Sequence, residues 1–282
     1  MKSALTKYEN LWQLSNFEPI ANDSVTGNKL FKCHSSKHGP CVLKLGSVEA
    51  VEKEYLTLKH YENSRFCKVY EAEIEAGAFL LQHIIPGIPL REVVDLDKRL
   101  DVFLDVFSNL HSEVVDEEQF PTYLDWLKKV MKYMQINHPD SIFTKHIITA
   151  FILCEELWNK YTDLVLLHGD LHHDNILLGE DNHYHIIDPK GVMGSRVFDI
   201  PRFIINEFDD VTRVDFDEEF EHIIQKFSNQ LAIPVADVIK LTYMEICLAQ
   251  CWMIEDGEEA SLSEIEFVEK YLKKLIPILG KK

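Results

Sequence analysis

A polar loop between two apolar runs, followed by a second apolar pair that ends in an acid, most restricts how this chain can fold. Apolar runs of this length are typical of short buried strands. We expect the two strands to bring Asp170, Asn175 and Asp188 together at one point. The two segments are Leu166-Leu167-His168-Gly169-Asp170-Leu171-His172-His173-Asp174-Asn175-Ile176-Leu177-Leu178 and Ile186-Ile187-Asp188-Pro189-Lys190-Gly191.

These three residue types are the ones that phosphoryl transfer requires. One carboxylate accepts the proton of an attacking hydroxyl, while an amide oxygen and a second carboxylate hold Mg²⁺ against the nucleotide phosphates. Asp170 suits the first role, and Asn175 and Asp188 suit the second. The sequence therefore predicts Asp170, Asn175 and Asp188 as catalytic residues, with Asn175 and Asp188 as the metal ligands.

The spacing His168-x-Asp170-x4-Asn175, followed by Ile187-Asp188-Pro189, resembles the phosphotransferases of the aminoglycoside and choline kinase type. In these relatives of the protein kinases, Pro stands where Phe follows the metal-binding Asp. The continuation through Lys190-Gly191, Gly194 and Phe198-Asp199 is most similar to the aminoglycoside/hydroxyurea antibiotic-resistance kinase family. The match is strongest over residues 164–208.

This resemblance implies an enzyme that moves the γ-phosphoryl group of ATP or GTP, with Mg²⁺, to a hydroxyl of a small molecule. An aminoglycoside-type or hydroxyurea-type acceptor is implied. Metabolic kinases of the fructosamine, choline or homoserine type share the core motif and remain the alternative. A catalytically silent pseudokinase is disfavoured, because Lys44, Asp170, Asn175 and Asp188 are all present. A zinc hydrolase built on His172 and His173 is disfavoured by ligand spacing.

The first hundred residues predict a β-rich lobe with one helix. Strand-like segments lie near residues 13–20, 29–34 and 41–45, separated by a polar connection at 21–27 and a turn at 37–40. The 21–27 connection lies where kinases cover the nucleotide phosphates, and its small polar residues, with Ser24 as the candidate, suit that task. An ordinary hairpin loop explains it equally well.

Lys44 is a cation inside an otherwise apolar strand. An unpaired ammonium is costly to bury, so Lys44 needs a partner. By the kinase resemblance it contacts the α- and β-phosphates and pairs with a helical Glu. Glu54 is the predicted partner and Glu52 the reserve, and a Lys at a strand edge is the structural alternative.

Two further strands near 68–72 and 78–82 lead to a segment rich in Pro and Gly, which stops both strand and helix. We place the lobe boundary here, with a nucleotide-binding lobe at 1–84 and a catalytic and substrate-binding lobe at 85–282. By resemblance, backbone groups of Gln82, His83 and Ile84 bind the adenine. A plain interdomain linker is compatible with that role.

From about residue 97 onward, apolar residues recur at three- and four-residue intervals, which predicts helices. The sequence thus predicts a two-lobed α+β protein-kinase-like fold, with a small β-rich N-lobe and a larger, mainly helical C-lobe. Further helices are expected near 141–160, 198–207, 216–230, 235–254 and 261–278.

Three residues around the motif are expected to support it. We expect His168 to orient the loop, since Asp170 already supplies the base. Asp199 can cap the following helix and accept backbone N–H groups of the loop, as the structural Asp of kinase C-lobes does. Lys190 either contacts phosphate or pairs with a neighbouring carboxylate.

Charge and composition limit the partners. With 29 basic and 47 acidic residues, the formal charge of −18 argues against nucleic-acid and anionic-membrane partners. It favours a cationic acceptor, for which Glu245, Trp252, Glu255 and Asp256 are candidate contacts. The sequence contains no long apolar stretch and no signal-like start, so a cytoplasmic protein with free thiols is expected.

Overall fold

Buried and exposed side chains alternate along parts of the first sheet, as in a sheet with one covered face. The computed structural model describes residues 2–20, 28–62, 64–113, 119–208, 216–257, 265–266 and 268–270. The strands are antiparallel neighbours in the order β1-β2-β3-β5-β4, which confirms the five strands predicted here. They are β1 (Leu14–Ile20), β2 (Lys29–Ser35), β3 (Gly39–Leu45), β4 (Val69–Glu73) and β5 (Ala78–Gln82).

A hydrophobic core cluster joins the side chains of this sheet to those of a helix, α1 (Lys2–Leu11). Tyr8 is 3% exposed, and Leu5 and Trp12 pack against the same cluster. Leu5 and Tyr8 lie three residues apart on one face of α1, and Trp12 follows directly after the helix. The structure thus adds α1 to the single helix expected in this region.

The expected helix is α2 (Val48–His60). It begins after Ser47, whose Oγ accepts a hydrogen bond from the Ala50 N–H at 3.3 Å. Val51, Glu54 and Leu58 recur at three- and four-residue intervals along its buried face. This spacing places a carboxylate among apolar residues, where it needs a positive partner.

A smaller sheet contains β6 (Pro86–Pro89), β8 (Ile176–Gly179) and β9 (Tyr184–Ile186), in the order β6-β8-β9. It belongs to the first of two compact units into which the chain divides. The first unit contains Met1–Val94 and His173–Gly191, and the second contains Asp95–His172 and Val192–Lys282. The boundary at residue 84 stays a prediction.

The second unit is mainly helical and contains one short antiparallel pair, β7 (Val165–Leu167) with β10 (Val192–Gly194). The helices predicted between 97 and 255 are confirmed, whereas most of the predicted helix at 261–278 lies outside the described residues. No helix in the described part of the chain is long and apolar enough to cross a membrane. The helices are α3 (Leu96–Ser108), α4 (Tyr123–Asn137), α5 (Ile142–Lys160), α6 (Ile200–Ile205), α7 (Phe216–Leu231) and α8 (Val235–Glu255).

Candidate active site

Lys44 lies in the apolar strand β3 and is 5% exposed. Its Nζ lies 2.6 Å from Oε2 of Glu54, on the buried face of α2. This confirms Glu54 as its partner, whereas Glu52 is exposed. Burial alone would lower the pKa of Lys44, but attraction by Glu54 and Asp188 outweighs burial and raises it. The ammonium is therefore firmly charged at neutral pH.

Asp188 follows β9 and adopts a left-handed backbone with φ of 57°, a conformation that few residues other than Gly adopt. Its Oδ1 accepts a hydrogen bond from Lys44, and its Oδ2 lies 2.6 Å from Lys190 Nζ. Burial would raise the pKa of Asp188, but the two ammonium groups outweigh it and hold the pKa well below its ordinary value. Asp188 is therefore an anion at neutral pH, and Lys190 pairs with a neighbouring carboxylate, one of its two predicted roles.

Asn175 ends a short 3₁₀ turn, His173–Asn175, and is 7% exposed. Its backbone oxygen accepts a hydrogen bond from the Ile187 N–H at 3.1 Å, which ties the turn to the residue before Asp188. Arg91 fixes the same turn by donating to both carboxylate oxygens of Asp174, at 2.9 to 3.2 Å. An amide oxygen and an ionised carboxylate are the hard donors that Mg²⁺ prefers, so the residues present fit this metal.

The predicted adenine-binding segment begins at the end of β5. Gln82 accepts the Lys68 N–H through its Oε1 at 3.2 Å, and its own N–H donates to the Lys68 oxygen at 2.8 Å. Ile84 is 5% exposed, and burial, reinforced by Lys32, lowers the pKa of His83. Ser24, the candidate for the phosphate-covering loop, lies outside the described residues.

The loop that carries Asp170 belongs to the second unit and is built around Asp199. The Asp199 carboxylate accepts the N–H groups of His168 and Gly169 at 2.8 and 2.7 Å, and lies 2.8 Å from His111 Nε2. The predicted support of the loop is confirmed. The predicted helix cap is wrong, because the side chain makes no capping bond to α6 and its oxygens serve the loop instead.

His168 is fully buried, and its Nδ1 accepts the Asp170 N–H at 3.1 Å. It thus orients the loop, as the sequence predicted. His172 Nε2 lies 3.9 Å from Asp170 Oδ2, while His173 is 1% exposed. Among the described residues, no group of three or more His, Cys, Asp or Glu side chains could hold a metal ion.

Arg202, on α6, is the site residue that the sequence analysis missed. Its Nε lies 2.9 Å from Asp170 Oδ1 and 3.3 Å from Glu245 Oε1. Burial would lower its pKa, but attraction by Glu245 and Asp170 raises it. A single Arg within the apolar run of α6 was the available signal, by the same reasoning that identified Lys44.

The four acceptor candidates divide into two pairs. Glu245 is 3% exposed and contacts Arg202, and the Trp252 ring lies 5.7 Å from the Arg202 guanidinium. Glu255 and Asp256, at the end of α8, are more exposed than Glu245. The structure thus brings Glu245 and Trp252 together around Arg202.

Each unit carries one part of the required chemistry. In the first unit, Lys44 can hold phosphate, and Asn175 with Asp188 can hold a divalent metal. In the second unit, Asp170 is a carboxylate on a loop fixed by His168 and Asp199, and can accept a proton.

A family model described as aminoglycoside/hydroxyurea antibiotic resistance kinase matches residues 12–257. A streptomycin 3''-kinase of Klebsiella pneumoniae is 23% identical over 171 residues, which cover 59% of this chain and 61% of that protein. The chain thus spans about three fifths of the length of this curated relative.

Solved structures share the protein-kinase-like fold that the sequence predicted. Choline kinase LicA from Streptococcus pneumoniae has a TM-score of 0.72 at 17% identity, covering 98% of both chains. Amicoumacin kinase hAmiN, solved in complex with AMP-PNP, Ca²⁺ and Ami, has a TM-score of 0.61 at 15% identity, covering 97% of this chain and 92% of that one. At these identities the likeness establishes the fold alone.

Proposed function

Because the chain belongs to the aminoglycoside/hydroxyurea antibiotic resistance kinase family, we propose that it transfers the γ-phosphoryl group of ATP or GTP to a hydroxyl of a small cationic molecule. One observation carries the proposal. Lys44 is buried in a strand, paired with Glu54 and bonded to Asp188. A structural Lys needs one counter-charge, whereas a Lys that positions phosphates beside a metal ligand would have this pair of partners.

On the nucleotide side, Lys44 contacts the α- and β-phosphates, and Glu54 keeps its ammonium in place. Backbone groups of Gln82, His83 and Ile84 receive the adenine, and Ser24 belongs to the loop that covers the phosphates. Family membership, together with the charge and burial of Lys44, supports these roles.

Asn175 and Asp188 would hold Mg²⁺. When bound, the metal neutralises charge that develops on the transferred phosphoryl group. The low pKa of Asp188 supports this role, because the carboxylate is available as an anion throughout the physiological range.

Asp170 orients the acceptor hydroxyl and accepts its proton, while the hydroxyl oxygen forms the new bond to the γ-phosphorus. The bond from that phosphorus to the bridging oxygen of the β-phosphate breaks, and ADP or GDP leaves. The support comes from the loop, in which the Asp170 N–H donates to His168 Nδ1 and the preceding N–H groups donate to Asp199. A fixed loop is what a positioned base needs, since small misplacements are costly in rate.

A cationic acceptor is supported by the charge of −18, because an acidic surface attracts cations and raises their encounter rate. The relatives act on choline and streptomycin according to their names, and both molecules are cations. Glu245 places an additional carboxylate in the second unit, paired with Arg202.

The test is incubation of the purified protein with ATP or GTP, Mg²⁺ and a matched panel of hydroxyl compounds. The panel contains streptomycin, choline, ethanolamine, a fructosamine and homoserine, each beside a neutral alcohol of similar size. Mass spectrometry should detect a phosphorylated cation, and Asp170→Asn should lower the rate of product formation roughly 10²–10⁴-fold. Faster transfer to the neutral alcohols would contradict the cationic acceptor, and transfer to none would contradict the kinase.

A further inference from the structure

Arg202 is a largely buried guanidinium with two carboxylate partners inside the second unit. Its side chain is 19% exposed, and its Nε lies 2.9 Å from Asp170 and 3.3 Å from Glu245. The Trp252 ring lies 5.7 Å from its Cζ. Because a guanidinium is planar, two carboxylates and an aromatic ring together restrict its orientation.

Glu245 is in turn fixed by the core of this unit. Its Oε2 accepts a hydrogen bond from the Tyr123 hydroxyl at 2.5 Å, and both side chains are buried. The Tyr123 ring stacks on Phe198 with centroids 4.8 Å apart. A continuous series of contacts therefore leads from packed aromatic rings through Glu245 and Arg202 to Asp170.

We propose that Arg202 is a positioning residue for Asp170. Anchored by Glu245, its guanidinium fixes the direction of the Asp170 carboxylate and supplies a positive charge beside it. The inference rests on the proposed function, in which the acceptor proton moves to Asp170; Arg202 itself forms and breaks no bond.

The same unit offers a matched control in Arg99. Its side chain is 17% exposed, and its Nη2 lies 2.7 Å from Oε2 of Glu207, which is 5% exposed. Both arginines thus form partly buried ion pairs with carboxylates, but of the two only Arg202 pairs with the proposed base. If Arg202 only stabilises the fold, replacing either arginine should have similar effects. If Arg202 positions Asp170, only its replacement should lower kcat.

The experiment compares Arg202→Ala, Arg202→Lys and Arg99→Ala, using ATP and whichever of streptomycin or choline the wild-type protein phosphorylates. For Arg202→Ala, kcat should fall roughly 10²-fold, the effect of a misplaced reacting group, while the KM for ATP stays near wild type. Arg202→Lys should recover only part of kcat, since an ammonium keeps the positive charge but lacks the fixed shape of the guanidinium. Guanidinium ion, added below denaturing concentrations, should restore turnover to Arg202→Ala in proportion to its concentration.

Arg99→Ala should keep its kcat and show no response to guanidinium. The inference is overturned if Arg202→Ala keeps wild-type kcat. It is equally overturned if kcat and nucleotide affinity fall together without rescue, because Arg202 would then be a structural residue. Binding of AMP-PNP, measured by calorimetry, establishes that each variant is folded.

Asp170→Asn, measured in parallel, separates this inference from the proposed function. If Asp170→Asn keeps wild-type turnover, Asp170 is not the base, and both the proposed function and the role of Arg202 are overturned. An inactive Asp170→Asn beside a fully active Arg202→Ala would leave the proposed function standing and overturn only the role of Arg202.

Discussion

Lys190 Nζ lies 2.6 Å from Asp188 Oδ2, while Lys44 bonds to Oδ1 of the same carboxylate. The proposed metal ligand therefore has a positive partner on each oxygen. Two ammonium groups keep Asp188 ionised, but they also occupy the atoms that Mg²⁺ would use. The two lysines must share or yield these oxygens when the metal binds.

Lys190→Met should tighten Mg²⁺ binding to the complex with AMP-PNP, because one competitor for Asp188 is removed. The Lys190 side chain is 40% exposed, so an effect of up to about fivefold in Kd is expected, the worth of an exposed ion pair. Calorimetric titration with Mg²⁺ measures it. Lys37→Met, which breaks an exposed pair with Glu71, is the control. Weaker Mg²⁺ binding in Lys190→Met would mean that Lys190 helps to assemble the metal site.

Lys44→Met should lower the free energy of unfolding by about 1–3 kcal/mol, because the buried Glu54 carboxyl, whose pKa burial already raises to about 7, loses its partner and takes up a proton. Lys44→Met combined with Glu54→Leu should recover most of that loss, since both charges are then absent. Urea unfolding of the two single variants and the double variant measures the coupling. Both Lys44 variants should lack phosphoryl transfer. If the loss of stability in the double variant equals the sum of the losses in the two single variants, the ion pair is not what keeps Lys44 buried.

Asp170→Asn and Asp188→Asn should damage different steps. The first should lower kcat roughly 10²–10⁴-fold, as loss of a positioned base does, and leave nucleotide affinity intact. The second should weaken binding of the Mg²⁺ nucleotide as well as turnover. Calorimetry with AMP-PNP, beside steady-state kinetics, distinguishes them. Equal losses of nucleotide affinity in the two variants would contradict this division of roles.

The start of α4 predicts a stability effect at acid pH. Thr122 and Asp125 form a reciprocal capping box, in which the Thr122 hydroxyl and N–H donate to Asp125 and lower its pKa. A carboxyl group whose pKa is lower in the folded than in the unfolded protein stabilises the fold at pH values above its unfolded-state pKa. That stabilisation is lost as the pH falls through its folded-state pKa. Thr122→Ala should therefore cost about 1 kcal/mol near pH 7 and less below about pH 4.

Chemical unfolding at both pH values checks this prediction for Thr122→Ala. Ser47→Ala, at the start of α2, is a matched cap without an acidic partner, since only the Ala50 N–H donates to its Oγ. Its cost should be the same at both pH values. A cost of Thr122→Ala that is independent of pH would contradict the role of Asp125.

The parts of the site that are close in sequence could be predicted from sequence. The loop between His168 and Asn175 has a fixed spacing, and Asp188 follows an apolar pair, so local pattern was sufficient. Lys44 was identifiable because a cation in an apolar strand must have a partner. Glu54 was chosen as the helical Glu that the kinase resemblance implies, and its place on the buried face of α2 confirms the pair.

Arg202 and α1 depended on contacts that local pattern does not contain. The partners of Arg202 lie on a distant loop and on α8, so nothing near it in sequence indicated a pair with Asp170. In α1, Leu5 and Tyr8 belong to the core cluster, whereas Leu11 is exposed, so the apolar residues of this short segment give little signal for a helix. In both cases the tertiary contact determines the role.

All six cysteines are buried and none forms a disulfide. Burial raises the pKa of Cys33 to about 12, and that of Cys67 further, so the reactive thiolate is scarce while the protein is folded. A maleimide should therefore modify this protein only as fast as it opens. Cys33 and Cys41 would report opening of the first unit, and Cys154, Cys247 and Cys251 that of the second, so mass spectrometry of labelled peptides can time the two openings separately without any introduced probe.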